Sequence, residues 1–327
     1  MIVRWGIDQL PAVLGELEVE RPLLVASRRF ADIELPFQLP PEQRFAGVRP
    51  HADVEGVQAA IEAVAGADGL LAVGGGSAID TAKAVSAETA LPVISVPTTY
   101  SGAEWTKGFG SRDSSIGEKR QGAGARTVAI VYEPRLTLDL PHAQTCGTAL
   151  NALAHCAEAL YGPERSDVTD RDAVAGAGLI SSLLPEVARR PDDLQARSGL
   201  LEGAMHAGAA MAAGMCVGHA MAQALGGRYG LPHGAMNAVC LPGALRFNAP
   251  VAAEALERFG EAMRGGEPIR RVEELAQLGG FAGLREFDVP EDELGVVAAA
   301  AAERAGARLN PRPAPPEAIE QILHELW

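Results

Sequence analysis

The first 140 residues alternate short apolar runs with segments whose apolar positions recur at helical spacing. The apolar runs predict β-strands near 22–27, 69–77, 91–99 and 126–134, and the helical spacing predicts helices over 54–67 and 78–89. Strand, helix and strand in repeated succession produce right-handed crossovers between parallel strands. This part of the chain therefore predicts a parallel α/β sheet.

After residue 144 the pattern changes to long, alanine-rich helical segments, and no strand pattern returns. Helices are predicted near 145–162, 168–189, 193–214, 216–227, 250–264, 269–277, 291–305 and 315–327. The change places a boundary near Pro141. We expect an α/β domain over 1–140 and an all-helical domain over 141–327.

Composition narrows the class of protein. The chain has 327 residues, of which 47% are hydrophobic and 21% charged, so it is long enough and apolar enough to bury a core without disulfide bonds or structural metal ions. Its net charge of −14 argues against a nucleic-acid partner, because phosphate neutralisation needs a basic surface. We expect a small-molecule partner rather than nucleic acid.

Two further features bear on location. The four cysteines lie in apolar surroundings without a C-x-x-C pair, which is typical of reduced thiols in a cytoplasmic protein. Residues 203–227 carry no formal charge and are long enough to cross a bilayer. They contain His206, His219 and Gln223 with many small residues, however, so we expect a helix buried in a soluble core and no membrane partner.

The sharpest local motif is the run Gly74-Gly75-Gly76-Ser77, which lies between a predicted strand and a predicted helix. Glycines allow a ligand to approach the backbone, and the N–H groups at a helix start favour an anion such as a pyrophosphate. A tight turn without a ligand is the alternative. On the following helix Asp80 and Lys83 share a face, either as a weak surface ion pair or with Asp80 near a bound cofactor.

Polar residues also recur within the apolar helices of the second half. Asn151 and His155 lie four apart on one helix face, and His219 and His233 follow in two later segments. Such groups are costly to bury without partners. A carboxylate at position 151 would complete an Asp-His-His-His metal site, but asparagine carries no charge and is a weak ligand.

The motifs together resemble the iron-containing alcohol dehydrogenase superfamily, and within it the maleylacetate reductases. The residues that carry the resemblance are GGGSAIDTAKA, PTTYSGAE, VAIVYEPRLTLDLP, TALNALAHCAEALYGP, LGGRYGLPHG and LNPRP. The resemblance implies a Rossmann-like dinucleotide-binding domain followed by an all-helical substrate and catalytic domain, the dehydroquinate synthase-like architecture. It also implies a homodimer.

The resemblance further implies an NAD or NADP site. It places the pyrophosphate on Gly75, Gly76 and Ser77, and the nicotinamide near Asp80. The other implied cofactor contacts are Thr98 and Thr99 along the ribose and phosphates, Lys119 at the nicotinamide ribose and Leu138 on the adenine side. The neutral Ala46, at a position where members that prefer NAD often have Asp, leaves the choice between NAD and NADP open.

For catalysis the resemblance implies His155, His219 and His233, with Asn151 at the position that is acidic in metal-dependent members. Maleylacetate reductases also resemble this chain in having asparagine there and work without a metal, so no catalytic metal is expected. Two departures are Gln223, where the family commonly has a proton-relaying histidine, and Ala220, where maleylacetate reductases tend to have a lysine.

These expectations favour an NAD(P)H-dependent, metal-independent reductase of a small carbonyl, enone or imine compound. A non-redox cyclase or lyase on the same scaffold, a metal-dependent alcohol dehydrogenase and a cofactor-binding subunit without turnover stay open as alternatives. The sequence does not identify the substrate.

Overall fold

The computed structural model describes residues 1–113, 118–264 and 266–327, apart from the side chains of 113 and 118–121. The chain separates into two compact units, Met1–Thr137 and Leu138–Trp327. The second unit begins at Leu138, three residues before Pro141, where the sequence pattern changes.

The first unit is built on a six-stranded sheet in which every neighbouring pair is parallel. The strand order is β1-β8-β5-β4-β2-β3. The central strand β4 is apolar along its whole length and all of its residues are buried, as expected for a strand covered on both faces. The strands of the sheet are β1 (Ile2–Trp5), β2 (Pro22–Ala26), β3 (Arg44–Phe45), β4 (Gly69–Gly74), β5 (Pro92–Pro97) and β8 (Arg126–Tyr132).

Three helices and a separate hairpin complete the first unit. The carboxylate of Asp53 caps one helix by accepting from the N–H of Glu55 at 3.2 Å. The hairpin is antiparallel and does not join the main sheet. The helices are α1 (Leu10–Glu16), α2 (Val54–Glu62) and α3 (Gly76–Thr89), and the hairpin strands are β6 (Phe109–Asp113) and β7 (Glu118–Gly122).

The second unit contains only helices in the part of the chain that the structure describes. Its longest members, α4 and α5, are buried over much of their length and pack on their neighbours through alanine and glycine. Its helices are α4 (His142–Ala159), α5 (Asp167–Arg189), α6 (Leu194–Ala210), α7 (Val217–Tyr229), α8 (His233–Asn248), α9 (Ala253–Ala262), α10 (Pro268–Leu278), α11 (Leu294–Ala302), α12 (Ala305–Arg308) and α13 (Pro316–Glu325). The α/β sheet followed by a helical region confirms the predicted fold class.

The sequence pattern overlooked helix α8. Its residues are apolar on nearly every side, so the segment lacks the one-sided periodicity that marks a surface helix. Pro242 inside the helix and Gly243 add signals typical of a break. A side chain at Gly243 would come within 2.7 Å of Ile322, which shows that close helix packing required the glycine. The omission matters because α8 carries His233.

The uncharged stretch over 203–227 is divided between two helices. Among the described residues no single helix is long and apolar enough to cross a membrane. The pair Leu194–Ala213 and Val217–Tyr229 passes that test of length and composition only when taken together, and the two are bent by 104°.

Candidate active site

The glycine turn joins β4 to α3 and leaves no room for a side chain. A Cβ atom at Gly75 would lie 2.7 Å from Cγ2 of Thr99, so a residue with a side chain would displace the neighbouring loop. The N–H of Thr98 donates to the carbonyl of Gly74 at 3.0 Å and holds that loop against the turn. Gly75, Thr98 and Thr99 therefore meet at the carboxyl edge of β4 and β5, where open α/β sheets bind ligands.

The amino end of α3 provides backbone donors next to this turn. The N–H groups of Ala78 and Ile79 donate back to the carbonyl of Gly75 at 3.0 and 3.2 Å, which closes the first helical turn. The N–H groups of Gly76 and Ser77 precede them and have no acceptor within the helix. The side chain of Ser77 accepts from the N–H of His51 at 3.0 Å. An anion is favoured at such a helix start by both the donors and the helix dipole.

Asp80 and Lys83 form an ion pair with a buried lysine and a half-buried aspartate, rather than the surface pair that the sequence suggested as one interpretation. Lys83 is only 1% exposed, and its Nζ lies 2.9 Å from Oδ1 of Asp80. Nζ also donates to the carbonyl of Ala103 at 2.8 Å, while the other carboxylate oxygen of Asp80 accepts from the N–H of Gly110 at 3.2 Å. The pair thus fixes α3 to the loop after β5 and to β6, and it orients Asp80 beside the glycine turn.

The same loop carries a buried carboxyl group that the sequence analysis did not single out. Oε1 of Glu104 accepts from the hydroxyl of Tyr132 at 3.0 Å, and that hydroxyl accepts from the indole N–H of Trp105 at 2.8 Å. Oε2 of Glu104 has no partner among the described residues. Burial raises the pKa of Glu104 to about 7, because the charged form is poorly solvated.

Three helices of the second unit bring the predicted histidines together. His155 of α4 and His219 of α7 stack with their ring centroids 4.3 Å apart, and His233 of α8 lies 6.2 Å from His219. His155 and His219 are buried, whereas His233 is half-buried. The cluster is therefore a polar site in an apolar interior that is partly open on the α8 side.

Two asparagines connect the outer histidines of this cluster. The amide nitrogen of Asn151 lies 3.2 Å from Nε2 of His155, and the amide oxygen of Asn151 accepts from Asn237 at 2.7 Å. The amide nitrogen of Asn237 also lies 3.0 Å from Nε2 of His233. Each of these two ring nitrogens consequently faces an amide donor. Asn237, one turn after His233, is a residue that sequence reasoning missed.

Glu158 fixes the central histidine. Its carboxylate is fully buried and lies 2.7 Å from Nδ1 of His219. It also accepts from the backbone N–H groups of Cys216, Gly218 and His219, at 2.6, 2.8 and 3.3 Å. One carboxylate thus caps α7 and binds the imidazole, so Nδ1 of His219 carries a proton and Nε2 faces the cluster. Nε2 has no protein partner in the described part of the chain.

Gln223 lies one helical turn after His219 on the same face of α7. Its amide oxygen accepts from Nη1 of Arg304 at 3.3 Å. Among the described residues no group of three His, Cys, Asp or Glu side chains has the geometry to hold a metal ion. Of the remaining predicted residues, Leu138 is half-buried at the start of the second unit, and the side chain of Lys119 lies outside the described part.

A sequence signal for Glu158 existed but was not used. It is the only acidic residue of α4, and it lies three residues after His155 in an otherwise apolar segment. Its partners are about sixty residues away along the chain, so the network itself could not be derived from local spacing.

Comparison with known proteins places the chain in a family. Residues 3–153 match the model of iron-containing alcohol dehydrogenases, and residues 145–327 match the C-terminal model of the Fe-containing alcohol dehydrogenase family. The maleylacetate reductase of Burkholderia cepacia is 36% identical over 266 residues, covering 80% of this chain and 74% of that protein. Maleylacetate reductase 1 of Cupriavidus pinatubonensis is 33% identical over 329 residues, covering 96% and 90%.

A solved structure agrees with these sequence matches. The crystal structure of maleylacetate reductase from Agrobacterium tumefaciens superimposes with a TM-score of 0.88 at 28% identity, covering 100% of this chain and 95% of that one. The resemblance noted in the sequence is therefore confirmed over both units. Since two family models account for nearly every residue and similar enzymes span the same length, the chain belongs to the iron-containing alcohol dehydrogenase family and is an NAD(P)-dependent oxidoreductase.

Proposed function

We propose that this enzyme reduces a small carbonyl, enone or imine substrate with NAD(P)H and does so without a catalytic metal. The observation that carries the proposal is the pair of asparagine amides, from Asn151 and Asn237, directed at the ring nitrogens of His155 and His233. In this proposal the unit Met1–Thr137 binds the dinucleotide and the unit Leu138–Trp327 provides the reaction groups.

The glycine turn fits a dinucleotide pyrophosphate. Gly75 lacks the side chain that would collide with Thr99, and the N–H groups of Gly76 and Ser77 provide donors for phosphate oxygens. Thr98 and Thr99 add hydroxyl groups at the same edge, and Asp80 is held in place by Lys83 for the nicotinamide end. When bound, NAD(P)H supplies a hydride to the substrate. Lys119 and Leu138 remain expected contacts of the ribose and the adenine.

The donor set of the helical unit does not fit a divalent cation. A cation binds the lone pair of a neutral imidazole nitrogen, but Nε2 of His155 and Nε2 of His233 each face an amide N–H group. Position 151 provides an amide where a carboxylate ligand would supply negative charge. The proposed reaction therefore does not involve a metal.

The histidine cluster can instead polarise a carbonyl oxygen and deliver a proton to it. His219 is the residue best placed for this, since Glu158 binds Nδ1 and leaves Nε2 directed into the cluster. A protonated Nε2 would donate to the substrate oxygen as negative charge develops there, and the Glu158 carboxylate would stabilise the imidazolium. His155 stacks on His219 and His233 flanks it, so both restrict where the oxygen can lie.

The relatives give a first substrate to test. Maleylacetate reductases of several bacteria are 32–36% identical to this chain, and maleylacetate carries a ketone conjugated to a carbon–carbon double bond, with two carboxylates. Purified enzyme is treated with a chelator and then assayed for NADH and NADPH oxidation with maleylacetate, neutral aldehydes, ketones and imines. Turnover that survives chelation supports the proposal. A rate that falls on chelation and returns with Fe²⁺ or Zn²⁺ overturns metal independence.

A single substitution tests the role of the amide directly. Asn151→Asp keeps an oxygen for the hydrogen bond from Asn237 and removes the N–H that faces His155, which completes a three-histidine, one-carboxylate ligand set. We expect this variant to retain about one equivalent of added Zn²⁺ or Fe²⁺ through gel filtration, measured by elemental analysis, and the parent enzyme to retain much less. Equal metal content in the two proteins would contradict the proposed role of Asn151.

A further inference from the structure

The guanidinium group of Arg304 contacts the face of α7 that carries His219 and Gln223. It lies between α11 and α12, and its Nη1 donates to the amide oxygen of Gln223 at 3.3 Å. Gln223 is four residues after His219, so the two side chains share one face of α7. The guanidinium consequently lies one helical turn beyond the imidazole that we propose as the proton donor.

The described residues provide no carboxylate within ion-pair distance of Arg304, whereas the neighbouring Arg308 pairs with Glu303. Nε of Arg304 is buried and has no hydrogen-bond partner in the part of the chain that the structure describes. Burial also lowers the pKa of Arg304 from its ordinary value, because the cation is partly desolvated. Burying a cation with an unused hydrogen-bond donor costs free energy unless an anion neutralises the charge and accepts that hydrogen bond.

The backbone around Arg304 is held close to α7. A Cβ atom at Gly306 would lie 2.6 Å from the carbonyl of Cys216, at the start of α7, so this turn packs directly on the helix. The N–H of Ala307 donates to the carbonyl of Arg304 at 3.1 Å. Packing therefore fixes the backbone from which the Arg304 side chain extends, and the hydrogen bond to Gln223 orients its guanidinium.

We propose that Arg304 binds a carboxylate of the substrate and makes the enzyme selective for acidic carbonyl compounds. This rests on the proposed reductase function and names its substrate class. A forked guanidinium pairs well with a planar carboxylate. It supplies, from a distant part of the chain, the positive charge that Ala220 does not provide on α7.

The nature of Gln223 agrees with this assignment. An amide oxygen accepts from the guanidinium, whereas a protonated histidine at the same position would repel it. Gln223 thus orients Arg304. Where the family commonly has a proton-relaying histidine, this chain has a glutamine that holds an anion-binding arginine.

The test compares two aldehydes of equal chain length, 4-oxobutanoate and butanal, which differ by one carboxylate. The measured quantity is the ratio of kcat/KM for the acid to kcat/KM for the neutral aldehyde. We expect Arg304→Gln to lower this ratio at least tenfold, chiefly through KM for the acid. Arg304→Lys should give an intermediate ratio, because it keeps the charge and loses the fork. The exposed control Arg308→Gln should leave the ratio as in the parent enzyme.

A binding measurement separates this inference from the proposed function. Glutarate, a dicarboxylate that cannot be reduced, is titrated into the parent enzyme and the three variants by calorimetry. Weaker glutarate binding to Arg304→Gln than to Arg308→Gln supports the role of Arg304, whether or not an aldehyde or ketone is turned over. Absence of turnover contradicts only the reductase proposal. An acid-to-neutral ratio within twofold of the parent value, or glutarate binding that is absent or equal in all four proteins, overturns the role of Arg304.

Discussion

The two candidate sites are built in opposite ways. In the sheet unit, Gly75 and the start of α3 offer backbone N–H groups, and the site exists because side chains are absent. In the helical unit, side chains from α4, α7 and α8 form two hydrogen-bonded sets. Glu158 binds His219, Asn151 and Asn237 bind the two outer histidines, and the sets meet where the rings of His155 and His219 stack. A backbone site is sensitive to added volume and a side-chain network to lost hydrogen bonds, so the two should respond to different substitutions.

The buried carboxyl groups of the two units sharpen this contrast. Glu158 accepts hydrogen bonds on both oxygens, three from backbone N–H groups and one from His219. Glu104 accepts one from a side chain, from Tyr132, and its second oxygen has none among the described residues. The number of donors, and not burial alone, decides whether a buried carboxyl group is supported as an anion.

The largest effect is expected from Glu158→Gln. The amide nitrogen must then face one of the N–H groups that now donate to the carboxylate, and His219 loses its charged partner. We expect kcat to fall about 100-fold or more, in the range of a lost general acid, with a smaller change in KM. Steady-state kinetics measure it, and the thermal midpoint reports accompanying destabilisation.

A matched control exists on the surface. His206 and Asp172 are also 2.7 Å apart, but both are about a quarter exposed. Asp172→Asn should change stability by less than about 1 kcal/mol, as for exposed ion pairs, and leave kcat intact. If Glu158→Gln were equally silent, the proposed role of the Glu158–His219 pair would be wrong.

The second prediction concerns the pH dependence of stability. Burial raises the pKa of Glu104 from 4.5 to about 7, so the folded chain keeps a proton that the unfolded chain releases. The free energy of unfolding should therefore fall as pH rises from about 4.5 to 7 and then level off, by about 3 kcal/mol at about 1.4 kcal/mol per pKa unit. Glu104→Gln, which resembles the protonated form, should remove this loss.

Denaturant unfolding followed by tryptophan fluorescence measures the prediction at pH 5 and pH 8. The variant and the parent should be similar at pH 5, and the variant should be more stable at pH 8. Tyr132→Phe provides a second check, because it removes the hydrogen bond that lowers the pKa of Glu104 and should move the loss to higher pH. A parent protein whose stability is flat over this interval would contradict the assignment.

The smallest effect is expected at the glycine turn. Gly75→Ala adds a methyl group 2.7 Å from Cγ2 of Thr99, which should displace the loop and weaken NAD(P)H binding about tenfold, or about 1.4 kcal/mol. Thr99→Ser removes Cγ2 and keeps the hydroxyl. The double variant should regain most of the affinity in a fluorescence titration of NADH and NADPH. If Thr99→Ser did not restore the affinity lost in Gly75→Ala, the contact between the added methyl group and Cγ2 of Thr99 would not be the cause of the loss.

The sequence predicted structure best where the elements are local. The strand, glycine turn and helix around Gly75 are consecutive in the chain, and their local structure follows from residue type. The contacts of Glu158 and Arg304 could not be predicted, because each depends on a partner far along the chain, His219 and Gln223 respectively. Helix α8 was missed because a helix buried on all sides has no polar face to set its period.

The hydrogen bond between Asn151 and Asn237 has an evolutionary consequence. Asn237 donates to the oxygen of residue 151, and an aspartate at that position would offer the same oxygen. The frame made by Glu158, His219 and Asn237 is therefore compatible with either residue. Asparagine and aspartate codons differ by a single base, so under the proposed function one nucleotide substitution would convert the amide-bonded network into a set of metal ligands. Metal-dependent and metal-free enzymes with this fold could then interconvert by one substitution that leaves the surrounding hydrogen bonds in place.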